Sequence, residues 1–152
     1  KKDTEILRPQ PWRWLSSSHM PNRKYRIRRR DLRHLRATAV ANAKNGREVC
    51  GLLVDNGYFL QLRESRNISK KEGSYRMDMR EVCSLERAAE KLNLEVIGTY
   101  HSHTIWFAEP GDSDIAGTWD NSLMLIVDAM HKGIKLWRIK NGRAYHLSFE
   151  TI

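Results

Sequence analysis

Val96-Ile97-Gly98-Thr99-Tyr100, a run with the character of a buried strand, leads directly into His101-Ser102-His103. Side chains on a strand alternate with period two, so the two imidazoles project to one side and Ser102 to the other. Asp114 follows after a gap of ten residues. Ser113 or Asp112 can cap a short helix through Trp119, which puts the Asp114 carboxylate in the first helical turn, where the helix dipole favours it. Two imidazoles and a carboxylate make an open zinc site: three protein ligands leave a fourth position for a water, whose pKa falls from about 15.7 to about 7 on the metal. The fold must therefore bring a strand end and a helix start together.

In Arg47-Glu48-Val49-Cys50-Gly51-Leu52-Leu53-Val54, one acidic residue opens an otherwise apolar run. A carboxylate entering such a run is costly unless it manages a proton or faces a cation, which makes Glu48 the candidate general base. An H-x-H pair alone equally describes a strand with two satisfied imidazoles. With Glu48 and Asp114 at these offsets, and with the E-V-C-G-L-L and V-I-G-T-Y phrases around them, the chain resembles the JAMM (MPN-plus) zinc metalloprotease family. That family's signature is a Glu, a long spacer, H-[ST]-H, seven residues and S-x-x-D. The resemblance covers roughly Tyr25 to Ile152.

The resemblance implies an α/β (α+β) domain of MPN type, a mixed, curled β-sheet flanked by helices and related to the cytidine deaminases. It implies one Zn²⁺ per chain on His101, His103 and Asp114, with Glu48 moving the proton. The substrate it implies is an isopeptide or peptide bond after the C-terminal tail of ubiquitin or a ubiquitin-like protein, or its conjugates, the extended tail pairing with a strand edge. The 53-residue step from Glu48 to His101 and the 38 residues after Asp114 leave little room for long substrate-selecting insertions, which points to a small prokaryotic enzyme acting on a bacterial ubiquitin-like conjugate. The alternative is a non-catalytic MPN scaffold or protein-binding module, against which retention of all three ligands and Glu48 argues. Nucleobase deamination lacks its P-C-x-x-C pair.

Two positions depart from the signature. Gly111 stands where the family has the serine whose hydroxyl stabilises the oxyanion, so Ser113, a backbone N–H of the Gly111-Asp112 turn, or the metal alone takes that role. Thr104 stands where many relatives have proline, a conformational difference. Ser102 faces away from the metal and serves a hydrogen bond or packing behind it. Trp106 and Phe107 either wall a substrate groove or pack beneath their loop.

Composition fits one domain: 152 residues, 40 % hydrophobic, suffice for one core. No apolar run reaches membrane-spanning length and no signal peptide is evident, so a soluble, cytoplasmic protein is expected. Cys50, in the strand, and Cys83, in a helical pattern, form neither a disulfide framework nor a C-x-x-C pair. Cys50 reads as a small buried hydrophobe. The net charge is +9, and the first 36 residues hold twelve Lys/Arg against three acidic residues, so the basic excess is N-terminal. A solvated Arg-rich face is preferred to a nucleic-acid arm, since no nucleic-acid motif accompanies it; an acidic protein partner is the middle reading.

Residues 1–20 are expected to form a separate tail, native or vector-derived, with Pro9, Pro11, Trp12 and Trp14 in a stretch without helix or strand period; the domain spans 21–152. Strand Lys24–Arg29 puts Tyr25 and Ile27 on one face. Asp31 caps a helix through Ala43 with the stripe Leu32, Leu35, Ala39 and Ala43, stopped by Asn45-Gly46. Strand Glu48–Val54 turns at Asn56-Gly57 into Tyr58–Arg63. Glu64–Tyr75 is a polar loop beside the site. A second helix, Asp78–Leu92, carries Val82, Leu85, Ala88, Ala89 and Leu92. After strand Glu95–His101 come strands Leu123–Asp128, Ile134–Lys140 and Arg143–Phe149, the last two joined at Asn141-Gly142. His34, His131 and His146 lack ligand spacing and receive no role.

Overall fold

A computed structural model of the protein describes Thr4–Glu5 and residues 23–152. The proline- and tryptophan-bearing stretch and the boundary expected at residue 20 lie outside the described residues. The elements are β1 (Thr4–Glu5), β2 (Tyr25–Ile27), α1 (Arg29–Ala43), β3 (Cys50–Asp55), β4 (Leu60–Ser65), β5 (Tyr75–Arg76) and α2 (Met79–Lys91). They continue with β6 (Glu95–His103), α3 (Asp112–Ala116), β7 (Ser122–Asp128), β8 (Ile134–Lys140), β9 (Arg143–Leu147) and β10 (Phe149–Thr151).

A six-stranded sheet in the order β4-β3-β6-β7-β8-β9 forms the centre, with β6–β7 its parallel pair and the remaining neighbours antiparallel. β3 and β7 are buried along their whole length, as expected of apolar runs that must satisfy a core on both faces. Leu32, Leu35 and Ala39 of α1 pack on one face against Leu53, Tyr100 and Leu125. Val82 and Ala89 of α2 pack on the other against Cys50, Leu52 and Tyr75. Each buried leucine contributes about 1.5–3 kcal/mol, so α1 is held mainly by this stripe. The sheet flanked by helices is the expected α+β architecture.

At Gly98 the backbone of β6 approaches β7 so closely that a Cβ would stand 2.1 Å from the Leu123 carbonyl oxygen. Beside it the β3–β6 ladder shifts register: Leu53 faces Gly98 but Val54 faces Val96, leaving Ile97 as an extra residue.

Several boundaries differ from expectation. α1 starts at Arg29 with Arg28 as N-cap, because the Asp31 carboxylate accepts from the Arg28 guanidinium (2.8 Å) instead of capping the backbone. On α2, Asp78 is the cap and Leu92 the end, but Ala88 and Leu92 are exposed and Glu86 is buried. The Asn56-Gly57 connection runs to Phe59, since the Asn56 side chain accepts from the N–H groups of both Tyr58 and Phe59 and delays β4 to Leu60. The last strand divides at Ser148: β9 stays with β8, while β10 pairs in parallel with β2. Thr4–Glu5 pairs in parallel with Tyr75–Arg76, in a stretch that shows no strand period.

Part of the N-terminal basic excess is internally paired: Arg23 with Asp55, Lys24 and Arg26 with Glu150, Arg28 with Asp31. Arg29, Arg30 and Arg33 lie exposed on α1. Among the described residues no helix is long and apolar enough to cross a membrane.

Candidate metal centre

β6 ends in His101 and His103, which alternation sets on the α2 side of the sheet. Ser102 faces the other way: its hydroxyl accepts from the Val49 N–H (2.8 Å), and its own N–H donates to the Val49 carbonyl (3.0 Å). These bonds extend the antiparallel register, in which Cys50 faces His101, beyond the end of β3. Glu48 therefore comes opposite His103 on the same face, buried at 4 % exposure. Asp114 comes from the third residue of α3; its Oδ2 reaches back to accept from the Gly111 N–H (2.9 Å) at the N-cap. Gly111, not Asp112 or Ser113, is that cap, and α3 ends at Ala116 rather than Trp119.

These elements bring three buried donors together. The two Nε2 atoms lie 3.1 Å apart, His103 Nε2 is 3.2 Å from Asp114 Oδ2, and His101 Nε2 is 3.3 Å from Asp114 Oδ1. Donors bound at about 2.0–2.1 Å in a tetrahedron stand about 3.3–3.4 Å apart, so the triangle already has nearly the dimensions zinc requires. His103 Nδ1 lies 2.7 Å from the Phe107 carbonyl oxygen, which can only accept, so Nδ1 donates there and Nε2 is the ring nitrogen that faces the Asp114 carboxylate. Two imidazoles with a carboxylate are a donor set suited to zinc. The Tyr75 ring stacks on His101 (4.6 Å between centroids, 23° between planes) and fixes its orientation.

A cleft of about 530 Å³ opens onto the triangle, and Glu48, His103 and Asp114 share its lining with Gly111 and Ser113. Gly73 and Trp106 stand on its walls. Trp106 and Phe107 are both more than half exposed, but the Phe107 ring lies against His131 (4.6 Å, 13°), so the two expected groove aromatics divide between the cleft and a neighbouring histidine.

The polar loop carries an unforeseen residue. The Asn67 side-chain amide donates to the carbonyls of Glu48 (2.8 Å) and Ser74 (3.0 Å), while its oxygen accepts from the N–H groups of Ser69 (2.9 Å) and Arg76 (3.1 Å). Arg47 donates to the carbonyls of Asn67 and Ser69. The loop is thus stapled to the Glu48 segment. An asparagine in a polar loop gives no local signal of this, because all its partners are backbone groups. Cys50 is no nucleophile: burial, then the neighbouring Glu48, pushes its thiol up to about 12.

The model for prokaryotic homologues of the JAB domain matches residues 12–140. The chain belongs to this family. Among curated proteins, Desampylase of Pyrococcus furiosus is 33 % identical over 85 residues, 55 % of this chain and 61 % of the relative, so the chain spans about three fifths of that relative's length. A solution structure of a Desulfitobacterium hafniense protein superposes with a TM-score of 0.70 at 22 % identity, over 84 % of this chain and 91 % of that one. One from Salinibacter ruber superposes with a TM-score of 0.58 at 15 % identity, over 84 % and 91 %. Both share the fold of this JAB-family chain.

Proposed function

We propose that the chain is a zinc-dependent peptidase or isopeptidase that hydrolyses the bond after the C-terminal tail of a ubiquitin-like protein. The observation that carries this reading is the pre-formed triangle of His101, His103 and Asp114 with Glu48 opposite it on the same cleft. Zinc, when held by these three residues, supplies Lewis acidity that polarises an amide carbonyl and acidifies a water. Glu48 accepts a proton from the attacking water and passes it to the departing nitrogen. The water oxygen bonds to the carbonyl carbon, the C–N bond breaks, and a carboxylate and an amine leave. Burial of Glu48 beside the ligands keeps that proton from bulk water. Membership of the JAB family and the relative named Desampylase support a ubiquitin-like substrate.

The test incubates the zinc-loaded chain with ubiquitin-like proteins bearing C-terminal extensions and reads intact mass. Cleavage at the end of the native tail, abolished by a chelator and by Glu48→Gln, is expected. A zinc-loaded chain that binds such proteins without cutting any of them would move the reading to a protein-binding MPN module.

A further inference from the structure

The Phe107 carbonyl accepts from His103 Nδ1 (2.7 Å) and from the Glu109 N–H (2.7 Å), and the next residue, Ala108, is buried with its own carbonyl held by the Trp137 indole (2.9 Å). The side chains ahead of that anchor are exposed, Ile105, Trp106 and Phe107 at 74 %, 57 % and 51 %. The Phe107 ring, however, lies nearly parallel on the ring of His131. That imidazole is itself clamped. Its Nδ1 meets Asp128 Oδ2 at 2.6 Å, and its backbone N–H and that of Met130 both donate to Asp128 Oδ1 (2.9 Å each). Asp128 is 1 % exposed, sits on β7 directly opposite His103, and is followed by Ala129, whose N–H donates to the His103 carbonyl (3.0 Å). The contacts close a circuit that begins and ends at His103.

We propose that His131, clamped by Asp128, is a positioning residue for His103: it seats the Phe107 ring and thereby the carbonyl that holds the His103 imidazole with Nε2 toward the metal. This rests on the metal-centre reading above. Partners that orient a ligating imidazole typically change metal affinity 10- to 100-fold when lost. A half-exposed phenylalanine gains little from solvent contact, so the stack supplies its orientation.

The experiment measures zinc affinity by competition with a chromogenic chelator, together with the visible ligand-field spectrum of the Co²⁺-loaded chain, neither of which depends on a substrate. His131→Ala and Phe107→Ala are each expected to weaken zinc by about 10- to 100-fold and to alter the cobalt bands. The double variant should be no weaker than the worse single one, since both remove the same contact. Phe107→Tyr, which keeps ring and carbonyl, and His34→Ala, on the far face, should match the parent. Melting of the metal-free proteins reports folding; if His131→Ala loses its fold because Asp128 is left short of a donor, the loop variant Phe107→Ala decides. Parent affinity and spectrum in a folded Phe107→Ala overturn the positioning role alone. A parent chain that binds no zinc overturns both this role and the reading beneath it.

Discussion

Replacing Gly111 by serine restores the hydroxyl of the family signature, and the backbone at this position accepts it. Gly111 is the N-cap of α3 at φ −81°, ψ 168°, an extended conformation open to any residue. A Cβ there meets Asp114 Oδ2 at 3.6 Å, an ordinary contact, and the 2.9 Å bond from the residue 111 N–H to that oxygen survives. Losing the glycine's freedom in the unfolded chain is worth about 0.4–1 kcal/mol, and serine exceeds glycine as an N-cap by a few tenths. Gly111→Ser should therefore raise the melting temperature by roughly 1–4 °C. A hydroxyl accepts and donates at once, so one that caps a backbone N–H keeps its own proton for an oxyanion in the cleft. One such donor is worth about 2.7–4 kcal/mol in the transition state, so kcat should rise by about 10²- to 10³-fold with little change in KM. Ser113→Ala should alter kcat little. Thermal melts and initial rates of the zinc-loaded variants decide. A lowered melting temperature refutes the argument from space, and a raised one with unchanged kcat refutes the missing-donor argument. A large kcat loss in Ser113→Ala with full zinc content transfers the role to Ser113.

Glu48→Gln should retain zinc stoichiometry and melting temperature while lowering hydrolysis about 10²- to 10⁴-fold, as loss of a general base does; full activity would remove Glu48 from the proton path. Ser102→Ala should cost about 1–3 kcal/mol in denaturant unfolding, because the Val49 N–H loses its 2.8 Å side-chain acceptor inside a fully buried segment. Cys50 has a folded-state pKa raised from 9.0 to about 12, so its contribution to stability is whole below about pH 9 and fades as pH rises toward about 12. Alkylation near neutral pH should accordingly mark half-buried Cys83 and spare Cys50, as peptide mass mapping will read.

The convergence of His101, His103 and Asp114 was legible in the sequence because its signal is local: strand alternation sets both imidazoles on one side, and a fixed offset reaches Asp114. Hairpin chemistry served equally well at Asn141-Gly142, where β8 has the expected limits and β9 the expected start. Failures occur where a side chain answers to a distant or competing partner. Asp31 has the residue type of a cap, but Arg28 claims its carboxylate. Helical periodicity cannot distinguish Glu86, which α2 buries, from Ala88, which it exposes. The division of the last strand depends on β2, more than a hundred residues away, and no local pattern carries that pairing. Asn67 is invisible for a related reason: what it binds is main chain, which every sequence shares.

The extra residue at Ile97 separates β6 into two halves with independent phases. Val96 packs with the α2-side cluster, Ile97 and Tyr100 both with the α1-side cluster, so the alternation that starts at Glu95 does not run through to His103. The inward or outward sense of His101 and His103 is set afresh from Gly98 by pairing with β3 and β7 on either side. Gly98–His103 thus behaves as a cassette: the hydrophobic residues ahead of it can slip, lengthen or be redesigned around the bulge without inverting the two imidazoles, whereas a single residue inserted after Gly98 would turn both of them away from Asp114.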